Sequence, residues 1–322
     1  MVPVPLTGIV WRPALSRLTA CLLLLIATVI WGVTFLAQKW VGAGDDAIGS
    51  LAFTGGRFLL GGLVVAPLAW RESRAAAHPL SARHLAGFAL CGIMLLLGGW
   101  TQQMGVRGTT IGNAGFLTGL YIALVPVLSW GLFRQRPHPV VWPVIATCLA
   151  GAWLLTGADL HSLSEGDCWI LLCSVFWAIH MSLVGLLAPA SGRPLTLACM
   201  QFLVTGVAGS LAAQVIEAPR AGAYLGAWIE LLWAGGLSVG IAFTLQVIAQ
   251  RHLHPATAAI IMSGESVFAA LTGALFLNER MTILQLTGAI LIFSSILAVE
   301  GVPALCARGK IRGQPAGGRN RG

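Results

Sequence analysis

The sequence predicts an all-α integral membrane protein, with ten transmembrane helices in two inverted five-helix repeats. Three observations predict it: an apolar composition, ten long intervals with almost no charge, and a weak similarity between the two halves of the chain. Hydrophobic residues make up 57% of the 322 residues and charged residues only 9%. Soluble globular domains carry about 25% charged residues, so this composition excludes that class.

The positions of Asp, Glu, Lys and Arg delimit the ten spans. A helix needs roughly 20 apolar residues to cross a hydrocarbon core of about 30 Å. Eight charge-free intervals are long enough: Leu18–Gln38, His84–Val106, Gly108–Phe133, Pro137–Ala158, Cys168–Gly192, Pro194–Ile216, Leu231–Gln250 and Met281–Val299. Two more intervals carry one charge each, Arg57 in Ala47–Trp70 and Glu265 in His252–Asn278. Because all ten intervals are continuously apolar, they favour helices over the alternating strands of a membrane barrel.

The distribution of Lys and Arg predicts the orientation of the chain. If the N-terminus is cytoplasmic, fourteen of these 19 residues lie on the cytoplasmic side, four lie outside, and Arg57 lies within a span. Basic residues near span ends remain on the cytoplasmic side. We therefore expect a multi-pass protein of the cell membrane with both termini in the cytoplasm. This rule also accounts for the net charge of +8, so no nucleic-acid partner is needed to explain it.

The two halves of the chain resemble each other at an offset of 144 residues. The offset aligns spans two to five with spans seven to ten without a gap. Identical aligned pairs include Phe58 with Phe202, Leu59 with Leu203, Gly62 with Gly206, Gln102 with Gln246, and Arg107 with Arg251. An odd number of spans in each unit inserts the second copy upside down, an arrangement in which transporters bind their substrates near the bilayer midplane.

The spans and the repeat predict four segments. Residues 1–18 form a cytoplasmic N-terminal segment, 19–158 the first five-helix unit, and 165–301 the second. Residues 302–322 form a basic cytoplasmic tail, expected to be disordered because it has little to bury. It is either a solvated topology anchor, which is the favoured interpretation, or a segment that contacts anionic lipid headgroups. No cysteine pair has metal-ligand spacing, and no nucleotide-binding P-loop is present, so we predict no metal, disulfide or cofactor.

Arg57 and Glu265 are the strongest candidates for a functional site. Each lies near the middle of an otherwise uncharged span, and an ionised group there costs several kcal/mol unless it has a partner or faces water. In one interpretation both face a central cavity, where they contact each other or the two charges of a zwitterionic solute. In the other, they form a permanent salt bridge that only joins spans two and nine.

Five more polar residues complete the predicted cavity: Gln102, Gln246, Tyr121, Gln201 and His180. The offset pairs Gln201 with Arg57 and Tyr121 with Glu265, so equivalent positions are expected to meet around the repeat axis. The amides could equally form interhelical hydrogen bonds, and His180 is either a proton relay or a hydrogen-bonded packing residue. The expected aromatic lining is Trp31, Trp100, Tyr121 and Trp177.

Several segments together resemble a known family. GESVFAALTGALFLNERMTILQLTGAILIFSSILAV, from Gly264, resembles the second repeat of an EamA-type transporter of the drug/metabolite transporter superfamily. IWGVTFLAQKW, RFLLGGLVVAPLA and TTIGNAGFLTGLYIALVPVL resemble the first repeat, and together the segments extend from about Thr19 to Glu300. The resemblance implies ten helices, two inverted units, and alternating-access movement of small organic solutes, often as efflux.

These observations favour a secondary transporter that moves a metabolite, amino acid or drug-like compound, with export as the expected direction. Proton coupling through Glu265 is one expectation, because membrane carboxylates form proton relays; facilitated transport is the alternative. A non-transporting membrane partner protein is a second class. A membrane enzyme is a third, but the sequence has no Ser-His-Asp, paired-carboxylate or HExxH arrangement.

Overall fold

The computed structural model describes residues 15–41, 48–157, 163–276 and 280–312. Within these ranges all regular elements are helical. The first half contains α1 (Arg17–Trp40), α2 (Ser50–Arg74), α3 (Ala82–Gly108), α4 (Ile111–Gly119), α5 (Tyr121–Phe133) and α6 (Val141–Thr156). The second half contains α7 (Glu165–Ser191), α8 (Pro194–Ile216), α9 (Ala221–Gly226), α10 (Trp228–Leu232), a π-helix (Trp233–Phe243), α11 (Thr244–Gln250), α12 (Pro255–Met262), α13 (Gly264–Phe276) and α14 (Ile283–Arg312).

The membrane-crossing elements confirm the predicted ten-helix fold. Among the described residues, nine helical segments are long and apolar enough to span a membrane, and α6 is a shorter apolar helix of 16 residues. Helix α6 begins only after Pro137 and Pro139, because residues that precede proline avoid the helical region. It ends at Gly157, whose φ of 60° is a left-handed conformation that closes the helix.

The C-terminal tail differs from its prediction. Disorder was expected from Val302 onward, but α14 continues to Arg312. The segment after Val302 contains alanine, leucine and arginine, which are strong helix formers and extend a helix that has already been nucleated. The remaining tail, 313–322, and the N-terminal segment 1–14 lie outside the described residues.

Both repeats interrupt their fourth helix at the same place. Leu120 separates α4 from α5, and Ser263 separates α12 from α13, so the two breaks match the repeat offset to within one residue. Tyr121 is therefore the first residue of α5, and Glu265 lies in the first turn of α13. The repeats differ in their third helix, because α3 is regular while its counterpart contains the π-helix.

Helices α2 and α8 pack closely against each other through repeat-equivalent residues. A Cβ built on Gly62 would lie 2.8 Å from Leu203 Cδ2, and one built on Gly206 would lie 2.5 Å from the Leu59 backbone nitrogen. Gly62 contacts Leu203 just as Gly206 contacts Leu59, which is the reciprocal pattern that a two-fold axis produces. The identities found by sequence comparison therefore mark the contact between the two repeats.

A carboxylate from each of these helices caps the start of the other. We call the side of the bundle at which α1 begins the N-terminal face. At the opposite face, Glu217 follows the end of α8 and accepts hydrogen bonds from the backbone amides of Leu51 at 2.8 Å and Ala52 at 2.9 Å. These amides belong to the first turn of α2, where a helix lacks internal acceptors and favours negative charge.

The equivalent cap at the N-terminal face uses Glu72, near the end of α2. Its carboxylate accepts from the amide of Leu195 at 3.2 Å and from the amide and hydroxyl of Thr196, both at 2.7 Å. Residues 195 and 196 are the repeat equivalents of 51 and 52. The α2–α8 pair is therefore joined by carboxylate caps at both membrane faces, as well as by its glycine contacts.

Candidate functional site

A cavity of about 50 Å³ lies among the helices and is bordered by the repeat-equivalent residues Tyr121 and Glu265. Its polar lining is Thr34, Arg57, Gln102, Thr118, Tyr121, Ser238 and Glu265, and its apolar lining is Trp31, Trp177, Met181, Phe243 and Met262. Arg57 lies two turns after the start of α2, and Gln102 lies less than two turns before the end of α3. Since a turn rises about 5.4 Å, the polar part of the cavity is roughly 10 Å below the opposite face.

The structure places Arg57 and Glu265 in the same cavity but does not pair them. No ion pair within 4.0 Å joins their side chains among the described residues. Arg57 is only 3% exposed, and its guanidinium lies 5.3 Å from the ring centre of Phe53 and 5.2 Å from that of Phe58. Rings at this distance stabilise a cation through their negative faces while leaving the N–H donors of the guanidinium free for another partner.

Glu265 and its repeat equivalent Tyr121 both project from the start of a half-helix. The Glu265 side chain is half-buried and borders the cavity from the first turn of α13, where the helix dipole stabilises a negative charge. Tyr121 is 3% exposed, and its hydroxyl has no hydrogen-bond partner in the described part of the chain. The helix breaks at Leu120 and Ser263 thus direct two polar groups towards one space.

Several hydrogen-bond donors around the cavity have no acceptor within the described ranges. Five buried side-chain atoms of its lining have no partner among the residues described: Arg57 Nε, Trp31 Nε1, Trp177 Nε1, the Tyr121 hydroxyl and Thr118 Oγ1. Leaving a buried polar group unpaired costs about 1–3 kcal/mol. Three of the five atoms can only donate, and the two hydroxyls can also donate, so the cavity is suited to an acceptor such as a carboxylate.

An aromatic cluster lies beside the cavity and consists of Trp31, Phe58, Trp177, Phe202 and Phe243. Phe243 is its centre, with ring centroids 4.8 Å from Trp31, 5.7 Å from Phe58, 5.6 Å from Trp177 and 6.2 Å from Phe202. The repeat-equivalent rings of Phe58 and Phe202 are 6.0 Å apart. The cluster therefore sits where the two repeats meet.

Three predicted site residues, His180, Gln201 and Gln246, lie elsewhere. Together with Gln250 they form what we call the inner polar set. His180 Nε2 is 3.0 Å from Gln201 Oε1, and Gln246 donates to Gln250 Oε1 at 3.0 Å. Gln250 in turn donates to the carbonyl of Met181 at 3.1 Å. The structure thus brings Arg57, Glu265, Gln102 and Tyr121 to the cavity and keeps His180, Gln201 and Gln246 away from it.

The three tryptophans that the sequence predicted for the lining are found in two different places. Trp31 and Trp177 line the cavity, whereas Trp100 packs against Trp169, with ring centroids 6.0 Å apart. The sequence did not single out the hydroxyl residues of the lining, such as Thr118 and Ser238. Ser and Thr are common in membrane helices, and neither of these residues stands out from its span. Thr118 lies on α4 just before the helix break, and Ser238 lies within the π-helix.

Comparisons with known proteins agree with this architecture. The model of the EamA-like transporter family matches residues 18–157 and again residues 164–300. An uncharacterized transporter of Archaeoglobus fulgidus is 28% identical over 295 residues, which cover 88% of this chain and 87% of that protein. The threonine/homoserine exporter RhtA of Escherichia coli is 32% identical over 201 residues, which cover 56% of this chain and 64% of RhtA.

A solved crystal structure shares the fold, with a TM-score of 0.72 and 19% sequence identity, over 92% of this chain and 99% of its own. The two matches to the family model together include most of the chain, and they correspond to the two halves of the ten-helix bundle. Members of this family are transporters and not enzymes. The chain is a multi-pass membrane protein that belongs to the EamA-like transporter family.

Proposed function

We propose that the protein exports a small zwitterionic amino acid, with threonine or homoserine as the first candidates, through the cavity between Arg57 and Glu265. One observation carries the proposal: a cation and a carboxylate border the same buried cavity without forming an ion pair. The naming of a similar protein as a threonine/homoserine exporter supports the same solute class.

Arg57 and the nearby donors would bind the carboxylate of the solute. The guanidinium can bind a carboxylate through two parallel hydrogen bonds, and the indole N–H groups of Trp31 and Trp177 and the Tyr121 hydroxyl add further donors. Glu265 would accept hydrogen bonds from the ammonium group. Each end of the zwitterion then replaces water with a charge of opposite sign, which offsets the cost of bringing it into the membrane.

The size of the cavity indicates that a bound solute requires a change of conformation. At about 50 Å³ it is much smaller than the roughly 300–1,000 Å³ of typical ligand pockets. Binding of an amino acid would therefore require the cavity to widen, and we propose that transport opens it alternately to the two faces.

The proposed topology is compatible with export as the direction of transport. Arg71, Arg74 and Arg83 border the N-terminal face, in agreement with a cytoplasmic location of that face under the positive-inside rule. The cavity then lies in the outer half of the membrane, close to the release side. Glu265, as a membrane carboxylate without an ion-pair partner among the described residues, is the group through which a proton gradient would drive export.

The test uses purified protein in liposomes and radiolabelled L-threonine. We expect saturable uptake by the wild type, and a rise of about 10- to 150-fold in the half-saturating concentration for Arg57→Gln, because charge-assisted hydrogen bonds contribute about 1.5–3 kcal/mol. L-threoninol, the amino alcohol without a carboxylate, separates the role of Arg57 from a general defect. L-threoninol should inhibit threonine uptake only weakly. Its inhibition constant should be the same in the wild type and in Arg57→Gln.

Arg74→Gln is the matched control, since Arg74 is an exposed arginine at the end of the same helix and should leave uptake unchanged. Glu265→Gln should abolish stimulation by a proton gradient. Undiminished threonine uptake in both cavity variants would refute the proposed site. Uptake that ignores a proton gradient in the wild type would remove proton coupling and leave facilitated transport.

A further inference from the structure

The inner polar set is buried but incompletely satisfied. His180 and Gln201 are 0% exposed and Gln246 is 1% exposed. His180 Nδ1, Gln201 Nε2 and Gln246 Oε1 have no hydrogen-bond partner in the described ranges. A purely structural network would be expected to satisfy its buried atoms, because an unsatisfied group costs about 1–3 kcal/mol.

All three residues lie on the N-terminal side of the aromatic cluster. Helix α7 runs towards the N-terminal face and places His180 one turn beyond Trp177, whose ring is 5.8 Å from that of His180. Gln246 follows Phe243 by one turn in the same direction. Helix α8 starts at the N-terminal face, so Gln201 precedes Phe202 on that side. The three residues therefore lie next to the cavity rather than in it: Met181, which follows His180 and accepts a hydrogen bond from Gln250, borders the cavity.

The repeat relates the inner polar set to the cavity. Gln246 is the equivalent of Gln102, and Gln201 is the equivalent of Arg57, so two cavity residues have counterparts at the same depth measured from the other membrane face. In a protein built from inverted repeats, exchanging the conformations of the two repeats converts an opening at one face into an opening at the other. The same exchange brings Gln201 and Gln246 to the cavity.

The π-helix gives a reason why Gln102 borders the cavity at present and its repeat equivalent Gln246 does not. Its hydrogen bonds connect each residue to one five positions away, so the chain turns less per residue than in an α-helix. Gln246 follows this segment, whereas Gln102 lies within the regular helix α3, and only Gln102 borders the cavity.

We infer that Gln201, His180 and Gln246 form a second contact set for the transported amino acid, exposed when the protein opens to the N-terminal face. The inference rests on the proposed function. The Gln201 amide offers a donor for the carboxylate, and the Gln246 carbonyl offers an acceptor for the ammonium group. This set is neutral when His180 is neutral, so it holds the zwitterion more weakly than Arg57 and Glu265 and serves to load the solute.

The experiment uses single cysteines in a background whose seven native cysteines are replaced and whose transport is retained. Gln246→Cys and Gln201→Cys are treated, in oriented vesicles, with a charged thiol reagent that cannot cross the membrane. We expect reaction from the N-terminal face only, and at least fivefold slower reaction when L-threonine is present. Gln102→Cys should react from the opposite face. Val184→Cys, a fully buried apolar position on α7, should stay unreactive.

A second measurement avoids dependence on cysteine variants that do not fold. In the full-length protein, Gln246→Leu should raise the half-saturating threonine concentration about tenfold at the N-terminal face and less than twofold at the opposite face. Equal effects at both faces, or absence of labelling at residues 201 and 246 while Gln102→Cys reacts, would overturn the inference. Labelling without any wild-type threonine flux would instead refute the proposed solute and leave the second opening in place.

Discussion

The substitution Gly206→Ala tests the close packing of α2 and α8 with a single methyl group. The new Cβ would lie 2.5 Å from the Leu59 backbone nitrogen and 2.9 Å from its Cα, whereas ordinary contacts begin near 3.4 Å. A backbone atom cannot rotate away, so the helices must separate by about 0.9 Å. At the repeat-equivalent Gly62, the nearest atom is instead a methyl group of Leu203, at 2.8 Å, which can adopt another rotamer.

The magnitudes predict different outcomes for these equivalent glycines. Alanine gains about 0.8–1 kcal/mol over glycine in a helix, and overpacking costs about 1–3 kcal/mol. Gly206→Ala lies at the upper end of that cost and should destabilise the protein by about 1–2 kcal/mol. Gly62→Ala lies at the lower end, so the two terms nearly cancel.

Unfolding in mixed micelles, followed by circular dichroism during titration with SDS, measures these differences. Gly131→Ala is the matched control, because no atom lies within 4 Å of its built Cβ and the helix gain should appear alone. The expected order of stability is Gly131→Ala first, the wild type and Gly62→Ala next, and Gly206→Ala last. Equal stability of Gly206→Ala and Gly62→Ala would refute the packing argument.

Three further predictions concern charge and hydrogen bonding. Glu72→Ala and Glu217→Ala should each reduce the free energy of unfolding by about 1–2 kcal/mol in the same titration. The losses should add in the double variant, because the two caps are at opposite faces. A loss in only one of the single variants would contradict the reciprocal arrangement. Arg17→Ala should cost less than about 1 kcal/mol, since the Arg17 side chain is 56% exposed in its 2.7 Å ion pair with Glu300, and a larger loss would show that this pair is structural. Trp177→Phe should keep the aromatic stacking but raise the half-saturating threonine concentration about two- to tenfold in liposomes, because one donor is lost; unchanged uptake would remove this indole from the site.

Much of the fold was predictable because the bilayer imposes a simple rule on composition. A membrane span excludes charge over about 20 residues, so gaps between charged residues locate helices directly. The same rule made Arg57 and Glu265 conspicuous, and both border the cavity. The sequence placed both residues near the middle of their spans, but α2 extends to Arg74, so Arg57 lies only two turns after the start of that helix.

The asymmetry of the cavity could not be predicted in this way. An offset of 144 residues pairs Gln102 with Gln246, but it assumes that both helices turn equally before reaching them. The π-helix Trp233–Phe243 violates that assumption. The glycines in this segment do not by themselves predict a π-helix. Glu72 and Glu217 were equally inconspicuous, because charges at span ends normally reach water, and their helix-capping role depends on contacts between distant residues.

The reciprocal caps also have a consequence for biogenesis. When the first five helices have entered the membrane, the amides at the start of α2 still lack the carboxylate that Glu217 will provide, and the glycine face of α2 has no neighbour. Each half of the chain is thus completed only by its partner, which makes the two halves act as subunits of an intramolecular dimer. Two separately synthesised halves should accordingly assemble with each other in the membrane more stably than either persists alone.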